Sequence, residues 1–170
     1  MPEIPALNSI PSKILVPIDF SPSSRAALAM AADLAHHFNA ELFLVHVIPM
    51  FSSSTMPDFV PETKFQEQAR TDAEGHFAAA KTDLASRGIK VGSFVEEGND
   101  VASNIMEVVE RENIDFLVIS THGLTGWHPL VFGSIAEKAI KLVQCPLLLL
   151  RSAKPETTAR VPSGRLMEWW

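Results

Sequence analysis

The feature that most constrains this chain is a repeated change of hydrophobic period. Short, nearly continuous apolar runs alternate with longer stretches whose apolar residues recur at helical spacing. The runs are residues 13–18 (Lys-Ile-Leu-Val-Pro-Ile), 41–48 (Glu-Leu-Phe-Leu-Val-His-Val-Ile), 115–119 (Asp-Phe-Leu-Val-Ile) and 147–151. Residues 89–96, where Ile89, Val91 and Phe94 alternate weakly with Lys90, Ser93 and Glu96, read as a further strand. Continuous apolarity suits parallel strands, which are buried on both faces. Between the first two runs, Ser21 reads as an N-cap and Pro22 as the first helical residue. The alanine-rich stretch from Ser23 to Phe38 then predicts a helix, and Asn39 a left-handed stop. Further helices are predicted over 61–86, ended by Gly88, over 101–111 with Asn99 or Asp100 as the cap, and over 134–143.

The resulting order, β-α-β-α-β-α-β-α-β, predicts an α/β fold: an open parallel sheet of five strands with helices on both faces, a three-layer sandwich. Two strand orders satisfy it, 2-1-3-4-5 and 3-2-1-4-5. In both, ligands sit beyond the carboxyl ends of the strands at a switch point. Those ends are Pro17-Ile18-Asp19 and Ser120-Thr121-His122-Gly123.

Composition removes several function classes. The 170 residues suit one domain, and 46% hydrophobic residues is too many for a disordered chain. A net charge of −6, with no run of four Lys or Arg, gives no footprint for nucleic acid. The single cysteine, Cys145, forms no internal disulfide or Cys-based zinc site and fits a reducing compartment. No signal peptide is visible, and no apolar run approaches the roughly 20 residues that cross a bilayer. A cytoplasmic protein, bound to neither membrane nor nucleic acid, is expected. Residues 49–61, with three prolines and four consecutive Ser/Thr, predict a mobile loop. Residues 1–12 read as a lead, 13–151 as the domain and 152–170, which ends in Glu-Trp-Trp, as a tail outside the core.

The stretch 120–134 carries Gly123, Gly126 and Gly133, and Ser134 opens the last predicted helix. Glycines let backbone N–H groups approach an anion, and a helix N-terminus adds donors and a favourable dipole. The parts of a phosphate cradle are present; the alternative is a surface turn in which glycine serves backbone geometry alone. The stretch has neither Gly-Lys-Ser/Thr nor G-x-G-x-x-G. It has no Lys or Arg, so phosphate charge would rest on backbone donors, His122, His128 and a divalent cation.

The remaining candidates each carry two readings. Asp19 either contacts a ligand or caps the helix that follows. Pro17 and Val47 either line the site or simply pack. His122 either donates to a phosphate or is satisfied within its turn. His46 reads as a packed histidine, His76 as solvated, and His36 and His37 as suited to a helix end. No spacing makes a metal cluster. Trp127 either covers a base or anchors its loop, and Cys145 reads as a small buried hydrophobe. No catalytic constellation is present; slow hydrolysis of a bound nucleotide is the most that is expected.

Five segments, in order, resemble the universal stress protein family. They are Ile14-Leu15-Val16-Pro17-Ile18-Asp19-Phe20-Ser21, His46-Val47-Ile48, Thr121-His122-Gly123-Leu124-Thr125-Gly126, Gly133-Ser134-Ile135-Ala136-Glu137-Lys138 and Cys145 to Arg151. The resemblance implies the 3-2-1-4-5 sheet of the adenine nucleotide alpha-hydrolase-like fold. It implies a homodimer paired through the last strand, Leu147 to Arg151, and a stress-response role with an unidentified protein partner. It implies a site for ATP, AMP or ADP, with Mg2+ or Mn2+, formed by Pro17, Asp19, Val47, Ile119, Ser120, His122, Gly123, Gly126, Gly133, Ser134 and Ile135. Asp19 would meet the ribose and adenine, and Val47 would offer backbone groups to adenine. The family's ATP-binding pattern is G-x2-G-x9-G-S/T. Here Ser120 stands at its first glycine, and Leu124 where many ATP binders place Lys or Arg. Those two departures motivate the alternative, a stress protein that binds no nucleotide and acts as a protein-interaction module.

Overall fold

The computed structural model describes residues 10–50, 62–121 and 133–151. Its strands are β1 (Lys13–Pro17), β2 (Glu41–Pro49), β3 (Val91–Gly98), β4 (Phe116–Ser120) and β5 (Leu147–Leu150), all parallel, in the order β3-β2-β1-β4-β5. The helices are α1 (Pro22–Phe38), α2 (Glu62–Ser86), α3 (Val101–Arg111) and α4 (Ser134–Leu142). The sheet order is the one the family resemblance implied, so the 2-1-3-4-5 alternative is set aside.

Alternation along each strand sends side chains to two cores. Ile14, Val16, Leu42 and Leu44 pack with α1 and α2 on one face. Leu15, Val45, Leu117 and Ile119 pack with α3 and α4 on the other. Ile14, Leu15 and Val16 are all fully buried, which is why this run shows no polar alternation. Each such aliphatic side chain contributes about 1.5–3 kcal/mol on burial.

The helix boundaries follow local chemistry. Ser21 caps α1, its hydroxyl accepting from the Ser24 amide at 3.1 Å, with Pro22 behind it. Asp100 is the cap of α3. Asn39, Gly88 and Asn113 adopt left-handed conformations after α1, α2 and α3, with φ of 55°, 79° and 53°. In each case the next amide, from Ala40, Ile89 or Ile114, reaches back to the carbonyl of Ala35, Leu84 or Val109 at 2.9–3.1 Å.

That device moves β3. The expected strand at 89–96 runs instead from Val91 to Gly98, because Ile89 is spent closing α2 and is buried there. At the opposite end of the sheet, the Asp115 carboxylate accepts from the Ser12 and Lys13 amides at 2.9–3.1 Å, tying the start of β1 to β4. The predicted loop beyond Met50, the stretch 122–132 and the tail 152–170 lie outside the described residues.

Candidate functional site

β1 parts from both of its neighbours at its carboxyl end. Toward β4, the last pair in register is Leu15↔Leu117. The next rung needs an N–H at residue 17, and Pro17 has none. Toward β2, the last pair is Pro17↔Val45, and the Ile18 amide still donates to the Val45 carbonyl at 2.8 Å. The Ile18 carbonyl, however, accepts from His46 Nδ1 at 2.7 Å. The chain then turns away through Asp19 and Phe20, the latter at φ 62°.

The parted strands leave a cleft of about 380 Å3. Pro17, Ile18 and Asp19 at the end of β1, Val45 to Val47 of β2, and Ile119 to Thr121 at the end of β4 line one part of it. Val101 and Ile105 of α3 and residues 133–136 at the start of α4 form its wall. The lining is mostly apolar with a few polar groups, the usual character of a small-molecule site.

Two sets of backbone groups open onto this space. In a parallel strand, residues two apart direct N–H and C=O to the same side. Val45 faces β1, so Val47 does too, at the point where β1 has gone. The second set is the N-terminus of α4. Gly133 is its N-cap, with φ −60° and no side chain capping the first turn. The first amides of a helix have no partner within it. The Gly133 amide donates to the Thr121 carbonyl at 2.8 Å, and the Thr121 amide to the Leu150 carbonyl at 2.8 Å, so α4 starts directly over the β4 end. Lys138 of α4 pairs with Asp100, the cap of α3, at 2.7 Å, joining the two helices near their N-termini.

Asp19 stands at the cleft and just ahead of the Ser21 cap of α1. Its Oδ1 accepts from the Ser21 amide at 3.0 Å. His46 is half-buried, and desolvation holds its pKa below the ordinary 6.5, against the raising effects of the Ile18 carbonyl and Asp19. Its ring lies 4.7 Å from that of Phe20, which also meets His76 at 5.0 Å and Phe77 at 6.0 Å. His76 is thus half-buried against Phe20, a correction to the solvated histidine expected on a long helix.

Of the candidate residues, the structure brings together Pro17, Asp19, Val47, Ile119, Ser120, Gly133, Ser134 and Ile135 around the cleft. His122, Gly123 and Gly126 lie outside the described residues, as does Trp127. Sequence reasoning missed His46 and Thr121 as lining residues, and the apolar wall from Val101 and Ile105. The signal for His46 was its place one residue before Val47 in a strand whose end faces the switch point. Among the described residues, no group of three His, Cys, Asp or Glu is placed to hold a metal ion. Cys145 borders a separate cavity at the other end of the sheet, beside Asp115 and Pro146, and burial pushes its thiol pKa up, as for an unreactive packed side chain.

The model of the universal stress protein family matches residues 11–151. The chain belongs to the universal stress protein family. Universal stress protein MJ0531 of Methanocaldococcus jannaschii is 28% identical over 144 residues, covering 85% of this chain and 84% of that one. Among solved structures, the hypothetical protein MJ0577 matches with a TM-score of 0.75 and 25% identity, over 86% of this chain and 99% of that one. The universal stress protein of Archaeoglobus fulgidus in complex with dAMP shares the fold at a TM-score of 0.57 and 17% identity, over 83% of this chain and 98% of that one. No helix among the described residues is long and apolar enough to cross a membrane.

Proposed function

We propose that this universal stress protein is a cytoplasmic, adenine-nucleotide-binding homodimer with a regulatory role in the stress response. One observation carries the binding reading: the Val47 backbone edge and the start of α4 open onto the same cleft. A peptide edge offers a donor and an acceptor side by side, which is what the rim of an adenine ring presents in reverse. The free amides of α4 suit a phosphate. Asp19, between them, suits ribose hydroxyls. The dAMP of the Archaeoglobus fulgidus complex is a ligand of this chemistry.

ATP, ADP and AMP all carry the base, ribose and phosphate that these groups suit, and the sequence adds Gly123 and Gly126 as candidate phosphate contacts. The Mg2+ or Mn2+ expected beside a triphosphate finds no protein cluster among the described residues, so no step is assigned to it. The reading is one of binding, with no catalytic residue assigned. Calorimetry with AMP and with ATP, with and without Mg2+, tests it, beside a Gly123→Val variant. Saturable binding by the native protein, weakened in the variant, is expected. Native protein that binds none of them at millimolar ligand overturns the reading and leaves the interaction module.

The dimer reading rests on the sheet edges. β3 and β5 are the two edges of the sheet. β3 carries Glu96 and Glu97, whereas β5 is four leucines, each half-buried. An apolar, unpaired edge invites strand pairing, and a second copy of this chain, paired β5 to β5, covers that edge in both copies at once.

A further inference from the structure

We infer that His46 is a positioning residue: by taking the Ile18 carbonyl, it keeps the Val47 backbone edge open for the base of a ligand. In a continued β1–β2 ladder, residue 18 would accept from the amide of residue 47 and donate to the carbonyl of residue 45. The structure keeps the second bond, at 2.8 Å, and replaces the first with the His46 Nδ1 donor, at 2.7 Å. The register accordingly ends at Pro17↔Val45. Ile18 is 3% exposed, so its carbonyl needs a partner inside the protein. If His46 did not supply one, the Val47 amide is the nearest donor that strand geometry provides, and the ladder would zip one rung further into the site.

The ring acts at a second point. Phe20 holds a left-handed backbone that a bulky residue rarely adopts, and its side chain lies against the His46 ring at 4.7 Å. The same side chain therefore fixes the chain before and after Asp19. A carbonyl only accepts, so Nδ1 carries the hydrogen, and the depressed pKa keeps the ring neutral near pH 7. The inference rests on the nucleotide reading for the identity of the ligand alone.

Amide hydrogen exchange on the full-length protein reads the edge directly. The native Val47 amide should exchange at least 100-fold faster than the ladder-paired Val45 amide, and AMP should slow it. In His46→Leu, which keeps the bulk and removes the donor, Val47 should slow to within tenfold of Val45, and AMP affinity should fall at least tenfold. His46→Asn, whose Nδ2 takes the place of Nδ1, should keep the native exchange pattern and bind AMP within threefold of native. Equal protection of Val47 and Val45 in the native protein overturns the inference, and this comparison decides even if His46→Leu does not fold. So does a folded His46→Leu that leaves Val47 exchange unchanged. Native protein that shows the expected exchange but binds no AMP removes the nucleotide reading and leaves the role of His46 standing.

Discussion

The Gly133 amide donates to the Thr121 carbonyl at 2.8 Å, so the first turn of α4 sits on the end of β4. The two residues are twelve apart in sequence, and the bond needs no side chain from either. Gly133 has φ −60°, a conformation open to any residue. Its glycine is therefore not required by backbone strain; it suits an N-cap, and under the nucleotide reading it also leaves room for a phosphate to approach.

Gly133→Ala tests that separation. Alanine is a poorer N-cap than glycine, so a stability loss of about 1 kcal/mol or less is expected. Nucleotide affinity should fall by tenfold or more, because the new methyl group occupies the cradle. Thermal unfolding and calorimetry on the same sample measure the two effects. Affinity that simply tracks stability would argue against a cradle here.

Acid should weaken the fold through His46. Its folded pKa lies below the unfolded 6.5, because burial disfavours the cation. The unfolded chain then binds the proton more readily, so stability is full above about pH 6.5 and falls as pH drops toward the folded value. Urea unfolding at pH 7.5 and 5.5 should show the loss, and His46→Asn should flatten it. The carboxylates of Asp100 and Glu137, held below their usual range mainly by hydrogen bonds from Lys138 and Lys141, act only at lower pH.

Phe77 is 1% exposed and packs beneath Phe20. Phe77→Ala should cost about 3–5 kcal/mol, the usual range for a large core truncation. Denaturant midpoints measure it. A loss under about 1 kcal/mol would mean that α2 is seated elsewhere.

A Cβ at Gly98 would overlap the Asn104 amide. That amide donates to the Asp100 carbonyl at 2.9 Å, beside the cap of α3. Gly98→Ala should therefore cost about 1–3 kcal/mol, as overpacking does. Gly75→Ala, where nothing lies within 4 Å of the new methyl, should be neutral or stabilising by up to about 1 kcal/mol.

The dimer reading predicts twice the chain mass of 18.6 kDa by light scattering. Leu142, 53% exposed shortly before β5, should contribute to the covered surface. Leu142→Glu should shift the mass toward the monomer while changing stability of the folded subunit by about 0.5 kcal/mol or less. A native monomer at all concentrations would exclude the interface.

Local chemistry settled most of the elements from the sequence alone. Ser21-Pro22, Asn39 and Gly88 act through their own backbone preferences, so they mark helix ends wherever the chain goes. The apolar runs of β1, β2 and β4 specify parallel strands because burial on both faces tolerates them, whereas β3 and β5, at the sheet edges, are mostly half-buried. Pro17 carries its missing N–H in the sequence, and with it the gap between β1 and β4. The site residues legible in this way were those at strand ends and at the start of α4. What only the tertiary structure decided is which groups share a bond across the sheet. The Ile18 carbonyl passes to His46 instead of Val47, and Thr121 holds Gly133, because register places these residues side by side. Neither pairing has a sequence period, since each joins separate strands or helices through a single donor. The order of β1 between β2 and β4, likewise, follows from which faces the helices cover, a property of the packed molecule rather than of any one segment.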